Sequence, residues 1–167
     1  MNRLWAPWRL KYILEDNVQG KDKVCIFCFY PSAKQPDDKE NLVLYRGKLS
    51  FIMMNRYPYN TGHIMVAPYR HTSTFQDLSK EELEDISLLM KSGIHALNDA
   101  FSFEGLNIGI NQGKIAGAGY EEHIHVHIVP RWNGDTNFMP VVGDTKVLPE
   151  SLTDTYDRIK EKIHEAY

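Results

Sequence analysis

The chain has 167 residues, 43% hydrophobic, 25% charged and 11% aromatic, with a formal net charge of −3. That length suits one domain, 1–167, large enough to bury about 70% of its unfolded surface without a disulfide scaffold. The aromatic content argues against disorder, the lack of basic excess against a nucleic-acid coat protein, and no apolar run approaches the ~18 residues that span a bilayer.

Residues 1–14 place Arg3, Arg9 and Lys11 among Trp5, Trp8 and Tyr12, with neither an apolar core nor a small-residue cleavage site. They do not read as a signal peptide, so a cytoplasmic protein with no membrane and no nucleic-acid partner is expected. Cys25 and Cys28 follow, with two residues between them, too close for a useful disulfide staple. Such a pair is a redox motif, two buried thiols, or half of a metal site. The surrounding chain does not read as the strand-to-helix turn that a redox pair occupies. Residues 31–40 read as a polar surface loop.

Two β-prone runs, Leu42–Arg46 and Phe51–Asn55, flank Gly47-Lys48 as in a hairpin, and a third run, His63–Ala67, stops at Pro68. Ser79-Lys80-Glu81-Glu82 has the form of a capping box. Leu83, Ile86, Met90, Ile94 and Leu97 then recur at helical spacing out to about Ala100. Leu106–Asn111 and His123–Val129 read as strands around the glycine-rich stretch 113–119. A final helix opens at Pro149-Glu150 and buries Leu152, Tyr156, Ile159 and Ile163. The fold class expected is α+β, a mainly antiparallel sheet of about five strands with a long central helix and a C-terminal helix.

The most informative segment is Glu122-His123-Ile124-His125-Val126-His127-Ile128-Val129. Side chains at i, i+2 and i+4 of a strand share a face, which puts three imidazoles on one side and Ile124, Val126 and Ile128 in the core. Three charged imidazoles would repel one another, so the arrangement is costly unless some are neutral and assigned to ligands or proton handling. Two chemistries fit: a three-histidine metal site, or attack by one ring that its neighbours orient. Asn111, Gly113, Gly117 and Gly119 just upstream can form a backbone cradle for phosphate, which favours a nucleophile beside a phosphorus centre. A catalytic metal would also want a carboxylate base, and only Glu121 and Glu122 lie near.

His-φ-His-φ-His-φ-φ preceded by Asn-x-Gly-x-x-Ala-Gly resembles the histidine triad family of nucleotidyl hydrolases and transferases. Asn55-x-x-Pro58-x-x-x-Gly62-His63 and Leu78-Ser79-x-Glu81-Glu82 are similar to other family segments, so the resemblance covers most of the chain. It implies a sheet continued across a homodimer and His125 as the nucleophile that takes a nucleotidyl group. His127 would contact the scissile oxygen and His63 would buttress it. Asn55 would bind the ribose, Asn111, Gly117 and Gly119 the α-phosphate, and Phe51 and Met53 would help line the base pocket. It further implies that His71 and His123 complete a structural zinc site with Cys25 and Cys28.

The stretch Ala116-Gly117-Ala118-Gly119-Tyr120 lacks the glutamine common in the family. Together with Leu4-Trp5-Ala6-Pro7-Trp8-Arg9 and the long segment after Pro130, it resembles the bacterial diadenosine tetraphosphate phosphorylase-like subgroup. The expected reaction is cleavage of a dinucleoside polyphosphate, with inorganic phosphate accepted at Arg131 to give ATP and ADP; the other reading of Arg131 is a surface ion pair with Asp135 or Glu122. The alternatives are hydrolysis of dinucleoside polyphosphates or nucleoside phosphoramidates to a nucleoside monophosphate, and a nucleotide-binding module of low turnover.

Overall fold

A computed structural model describes residues 24–32, 37–138, 142–143 and 147–163. The expectations for Trp5, Trp8 and the rest of the amino-terminal segment lie outside the described residues. Five strands form one sheet: β1 (Val43–Arg46), β2 (Ser50–Met54), β3 (Ile64–Pro68), β4 (Gly105–Ile110) and β5 (Val126–Arg131). Their order is β1-β2-β3-β5-β4, and every neighbouring pair is antiparallel. This is the expected α+β architecture.

Among the described residues four α-helices accompany the sheet: α1 (Ile26–Ser32), α2 (Asp38–Asn41), α3 (Lys80–Phe101) and α4 (Leu152–Lys162). The helical stripe of α3 packs on β2, β3 and β5, and α4 packs on α3 and β1. Ile52, Met54, Ile64, Val66, Val126 and Ile128 meet Ile86, Leu89 and Leu97 in the main core on that face. The alternate residues of the same strands face the other way. Phe51, Met53, Met65 and Ala67 gather under Phe27 of α1 in a second apolar cluster. The two faces of the sheet are thus divided between core and site, as period-two alternation requires.

The expected loop at 31–40 is corrected in part. Pro31 and Ser32 end α1, and Asp38–Asn41 form α2. Seven and four residues are too few for a helix to hold by local propensity. Tertiary bonds hold these two, because Arg46 clasps the Asp38 carboxylate with Nη2 at 2.6 Å and also donates to the Pro31 carbonyl. A second correction concerns the histidine strand, which begins at Val126 rather than His123. Register pairs Val66 with Val126, so Pro68 stands opposite Ile124 and has no N–H to extend the ladder. The Ile124 N–H goes to the Thr72 carbonyl instead, at 2.7 Å.

Candidate active site

His125 and His127 lie on the α1 side of the sheet, with His127 paired to Met65 of β3 and Gly109 of β4. Nothing lies within 4 Å of where a Cβ on Gly109 would stand, so the sheet is open beside His127. Ile110 pairs with Val126, which brings the next residues on the two chains, Asn111 and His125, to the end of the same ladder. His63 enters from the turn before β3 and is fully buried.

Hydrogen bonds fix which nitrogen of each ring carries a proton. The Tyr59 backbone N–H donates to His63 Nδ1 at 3.1 Å, so a neutral His63 carries its proton on Nε2. That nitrogen stands 3.0 Å from His127 Nδ1 and donates to it, which leaves the His127 proton on Nε2. His125 Nδ1 is 2.8 Å from the His123 carbonyl and must be the protonated nitrogen, so its Nε2 bears the lone pair. Burial holds the His125 imidazole below its usual 6.5, which keeps the ring neutral. Phe27, only 1% exposed, stacks on His125 with centroids 4.5 Å apart and planes at 26°. Tyr59 stacks on His63 at 4.7 Å.

A second cluster adjoins the first. One donor atom each from Cys25, Cys28, His71 and His123 lie within 4.8 Å of one another. Cys25 Sγ is 3.4 Å and Cys28 Sγ 3.6 Å from His123 Nδ1, and Cys28 Sγ is 3.3 Å from His71 Nδ1. A tetrahedral ion with bonds of about 2.3 Å to sulfur and 2.0 Å to nitrogen has N···S edges of roughly 3.5 Å, so these separations suit a metal ion. His123 Nε2–H donates to the Pro68 carbonyl at 2.9 Å, which turns the Nδ1 lone pair toward the sulfurs. Burial pushes the Cys25 thiol up to about 11, a thiol that wants a cation before it will ionise. The pair sits at the mouth of α1, whose first turn closes on the Cys25 carbonyl.

Other expected site residues sit less simply. Asn55 Oδ1 accepts the Tyr57 N–H at 2.9 Å, and the Asn55 N–H donates to the His63 carbonyl at 3.0 Å, so Asn55 belongs to the turn that carries His63. Phe51 and Met53 form the floor of the apolar cluster whose partly buried rim includes Ile26 and Tyr30. In the glycine-rich loop, Gly113 and Gly117 take φ of +81° and +88° around the turn Lys114–Ala116. The Gly117 N–H is bonded to the Lys114 carbonyl at 3.0 Å, so the expected anion cradle is closed on itself there. Arg131 makes the surface ion pair that is the alternative to its expected phosphate contact. Its guanidinium grips Asp135 through Nε at 2.5 Å and Nη2 at 2.9 Å, and Asn107 through Nη1 at 2.7 Å. The fork expected to hold phosphate is engaged within the protein, and four residues of strand, roughly 13 Å, separate it from His127. Sequence reasoning missed Phe27, Tyr59 and Gly109. Only Gly109 carried a signal, as a lone glycine inside a strand pattern.

An antiparallel α+β sheet here presents one oriented imidazole lone pair, on His125, between two further histidines, an arrangement suited to nucleophilic chemistry. The comparisons agree in kind: residues 37–134 match the HIT domain family, and the chain belongs to it. It is 40% identical over 157 residues to the AP-4-A phosphorylase of Mycobacterium tuberculosis, covering 93% of this chain and 80% of that one. The asymmetrical bis(5'-nucleosyl)-tetraphosphatase of Schizosaccharomyces pombe is 38% identical over 93 residues, 56% of this chain and 50% of that protein. Among solved structures, the diadenosine triphosphate hydrolase of Plasmodium falciparum in complex with cyclomarin A superposes with a TM-score of 0.61 at 26% identity, over 92% of this chain and 95% of that one. A zinc-bound histidine triad family protein from Mycobacterium smegmatis shares the fold with a TM-score of 0.60 at 24% identity, over 73% of this chain and 83% of that one.

Proposed function

We propose that this protein is an enzyme that cleaves a phosphoanhydride of a dinucleoside polyphosphate through a nucleotidyl-histidine intermediate on His125. The observation that carries the reading is the bond from His125 Nδ1–H to the His123 carbonyl, which leaves Nε2 as a neutral, buried nucleophile. Nε2 attacks the α-phosphorus and forms the N–P bond as the bridging P–O bond breaks, its electron pair leaving with the polyphosphate. His127 Nε2–H donates a hydrogen bond to the departing oxygen and stabilises its growing charge. The phosphoryl-imidazolium keeps its Nδ1–H on the His123 carbonyl. An acceptor oxygen then displaces His125 and returns the N–P electron pair to Nε2.

The open face beside Gly109 receives the phosphates next to His127, with Asn111 near the α-phosphate. Ile26 and Tyr30, partly buried over Phe51 and Met53, offer apolar surface for the base, with Phe51 and Met53 as the packed layer beneath, and Asn55 lies toward the ribose. Inorganic phosphate as acceptor, giving ATP and ADP from diadenosine tetraphosphate, is favoured by the likeness to the mycobacterial phosphorylase. Water as acceptor is the second reading, on the likeness to the tetraphosphatase.

Cys25, Cys28, His71 and His123 would hold Zn2+, a closed donor set that makes the ion structural. Thiolate ligands suit a reducing compartment such as the cytoplasm. A homodimer through β4 fits a sheet edge that leaves Asn107, Ile108 and Gly109 exposed.

Intact-mass spectrometry after rapid mixing with diadenosine tetraphosphate tests the reading. An AMP-sized adduct is expected in the parent protein and none in His125→Asn, whose turnover falls by at least ~10³-fold. Normal turnover in His125→Asn would end the proposal. Titrating phosphate separates the acceptors, because ADP grows with phosphate under phosphorolysis, whereas AMP dominates throughout under hydrolysis.

A further inference from the structure

The segment after β5 takes no part in the chemistry above, yet its polar groups converge on one carboxylate. Asp135 accepts from Arg131, from the Trp132 N–H at 3.2 Å and from the Asn60 side-chain amide at 2.9 Å. Asn60 is 5% exposed, and its amide also donates to the Pro130 carbonyl at 3.0 Å. The Asn60 backbone carbonyl in turn accepts the His63 N–H at 3.2 Å. Between them Gly62 turns at φ +75°, where an added Cβ would stand 3.1 Å from Leu97. The same turn delivers the Tyr59 N–H to His63 Nδ1 and the Tyr59 ring to its face. Arg131 extends the chain of contacts to Asn107 of β4.

We infer that Asn60 and Asp135, locked by Arg131, form a clasp that positions His63 and, through it, the hydrogen bond that His127 gives the leaving group. Both are positioning residues. The turn of residues 55–63 is held to the end of β5 by Asn60, and both groups that orient His63 ride on that turn. A displacement of His63 that breaks this bond would release the His127 tautomer, because the 3.0 Å contact between the two rings is what leaves the His127 proton on Nε2. The long segment after Pro130, expected from the sequence to bind phosphate, is on this account a brace for the leaving-group donor.

The inference rests on the nucleotidyl-transfer reading, and a series of aryl esters of AMP separates the two. A p-nitrophenolate leaves with little help, whereas a phenolate needs its charge stabilised. Asn60→Ala and Asp135→Asn are expected to lose about ten- to hundredfold in kcat on the phenyl ester with little change in KM, and much less on the p-nitrophenyl ester. An equal loss on both esters marks a merely structural clasp and overturns the inference, as does no loss on either. Imidazole nitrogen NMR of the unliganded protein gives a second measurement. Single Nε2–H tautomers of His63 and His127 are expected in the parent protein and mixed tautomers in both variants, and unmixed tautomers there would overturn the clasp. Asp135→Asn keeps the shape of the side chain and stands in if Asn60→Ala does not fold. Absence of any adduct on His125, with His125→Asn still active, would instead refute the underlying reaction.

Discussion

One hydrogen bond decides which nitrogen of His125 can attack phosphorus, and one ring decides where that nitrogen points. The bond is to the His123 carbonyl and the ring is Phe27, stacked 4.5 Å away. Stacked aromatic pairs contribute about 0.5–1.5 kcal/mol beyond area burial, and 1.36 kcal/mol is tenfold in rate. Phe27→Leu keeps apolar volume and removes the planar face. It is expected to slow adduct formation by about two- to tenfold in quench-flow, with substrate affinity changing less, and an unaltered rate would show that the stack does not orient the nucleophile. Residue-level legibility divides along sequence distance. The histidine alternation could be read because its members are two residues apart. Phe27 could not, since its partner His125 lies far along the chain, whereas Arg131, with Asp135 four residues on, left both a phosphate fork and a surface ion pair open.

At the scale of elements, α3 is the part that sequence described best. Ser79 Oγ accepts the Glu82 N–H at 3.2 Å and the Glu82 carboxylate accepts the Ser79 N–H at 2.8 Å, closing the box read from Ser-x-x-Glu. What the motif could not convey is the third partner. Arg70 donates to both Glu82 oxygens, through Nε at 2.8 Å and Nη2 at 2.7 Å, and so ties the residue before His71 to the start of the helix. The guanidinium holds the Glu82 carboxyl below its usual 4.5. A carboxyl whose pKa is depressed on folding stabilises the fold above its unfolded pKa, and that gain is lost as pH falls through the lowered value. Glu82→Gln retains an acceptor for the cap and loses the ion pair. It is therefore expected to be less stable than the parent at pH 7 in urea, with the difference shrinking below about pH 4.5 and gone in stronger acid. A pH-independent difference would assign the loss to packing. Strand and helix limits were less legible than α3, for a related reason: Pro68 on β3 delays β5 to Val126, and Arg46 stabilises two short helices that no periodicity announces.

Across the whole molecule, the four-donor cluster joins parts of the chain that lie far apart in sequence. Cys25 and His123 are 98 residues apart, and Cys28 and His71 are 43 apart. An ion there would bind α1 to the segment before α3 and to the lead-in of β5, and that lead-in carries His125. Phe27 lies between the two cysteines, and the His123 that offers Nδ1 to the ion offers its carbonyl to His125. Stability and nucleophile geometry should consequently fall together when the cluster is broken. Cys28→Ser is expected to lose bound zinc by elemental analysis and to melt earlier, since each 1 kcal/mol lost lowers Tm by about 2–4 °C in a chain of this size. Structural zinc contributes far more than that in domains that depend on it, so a drop of ten degrees or more is expected. Chelation of the parent protein should reproduce the shift, and zinc restored after chelation should reverse it, while Cys28→Ser stays low whether or not zinc is added. Equal zinc content and equal Tm in parent and variant would remove the metal from the account and leave two thiols against an imidazole.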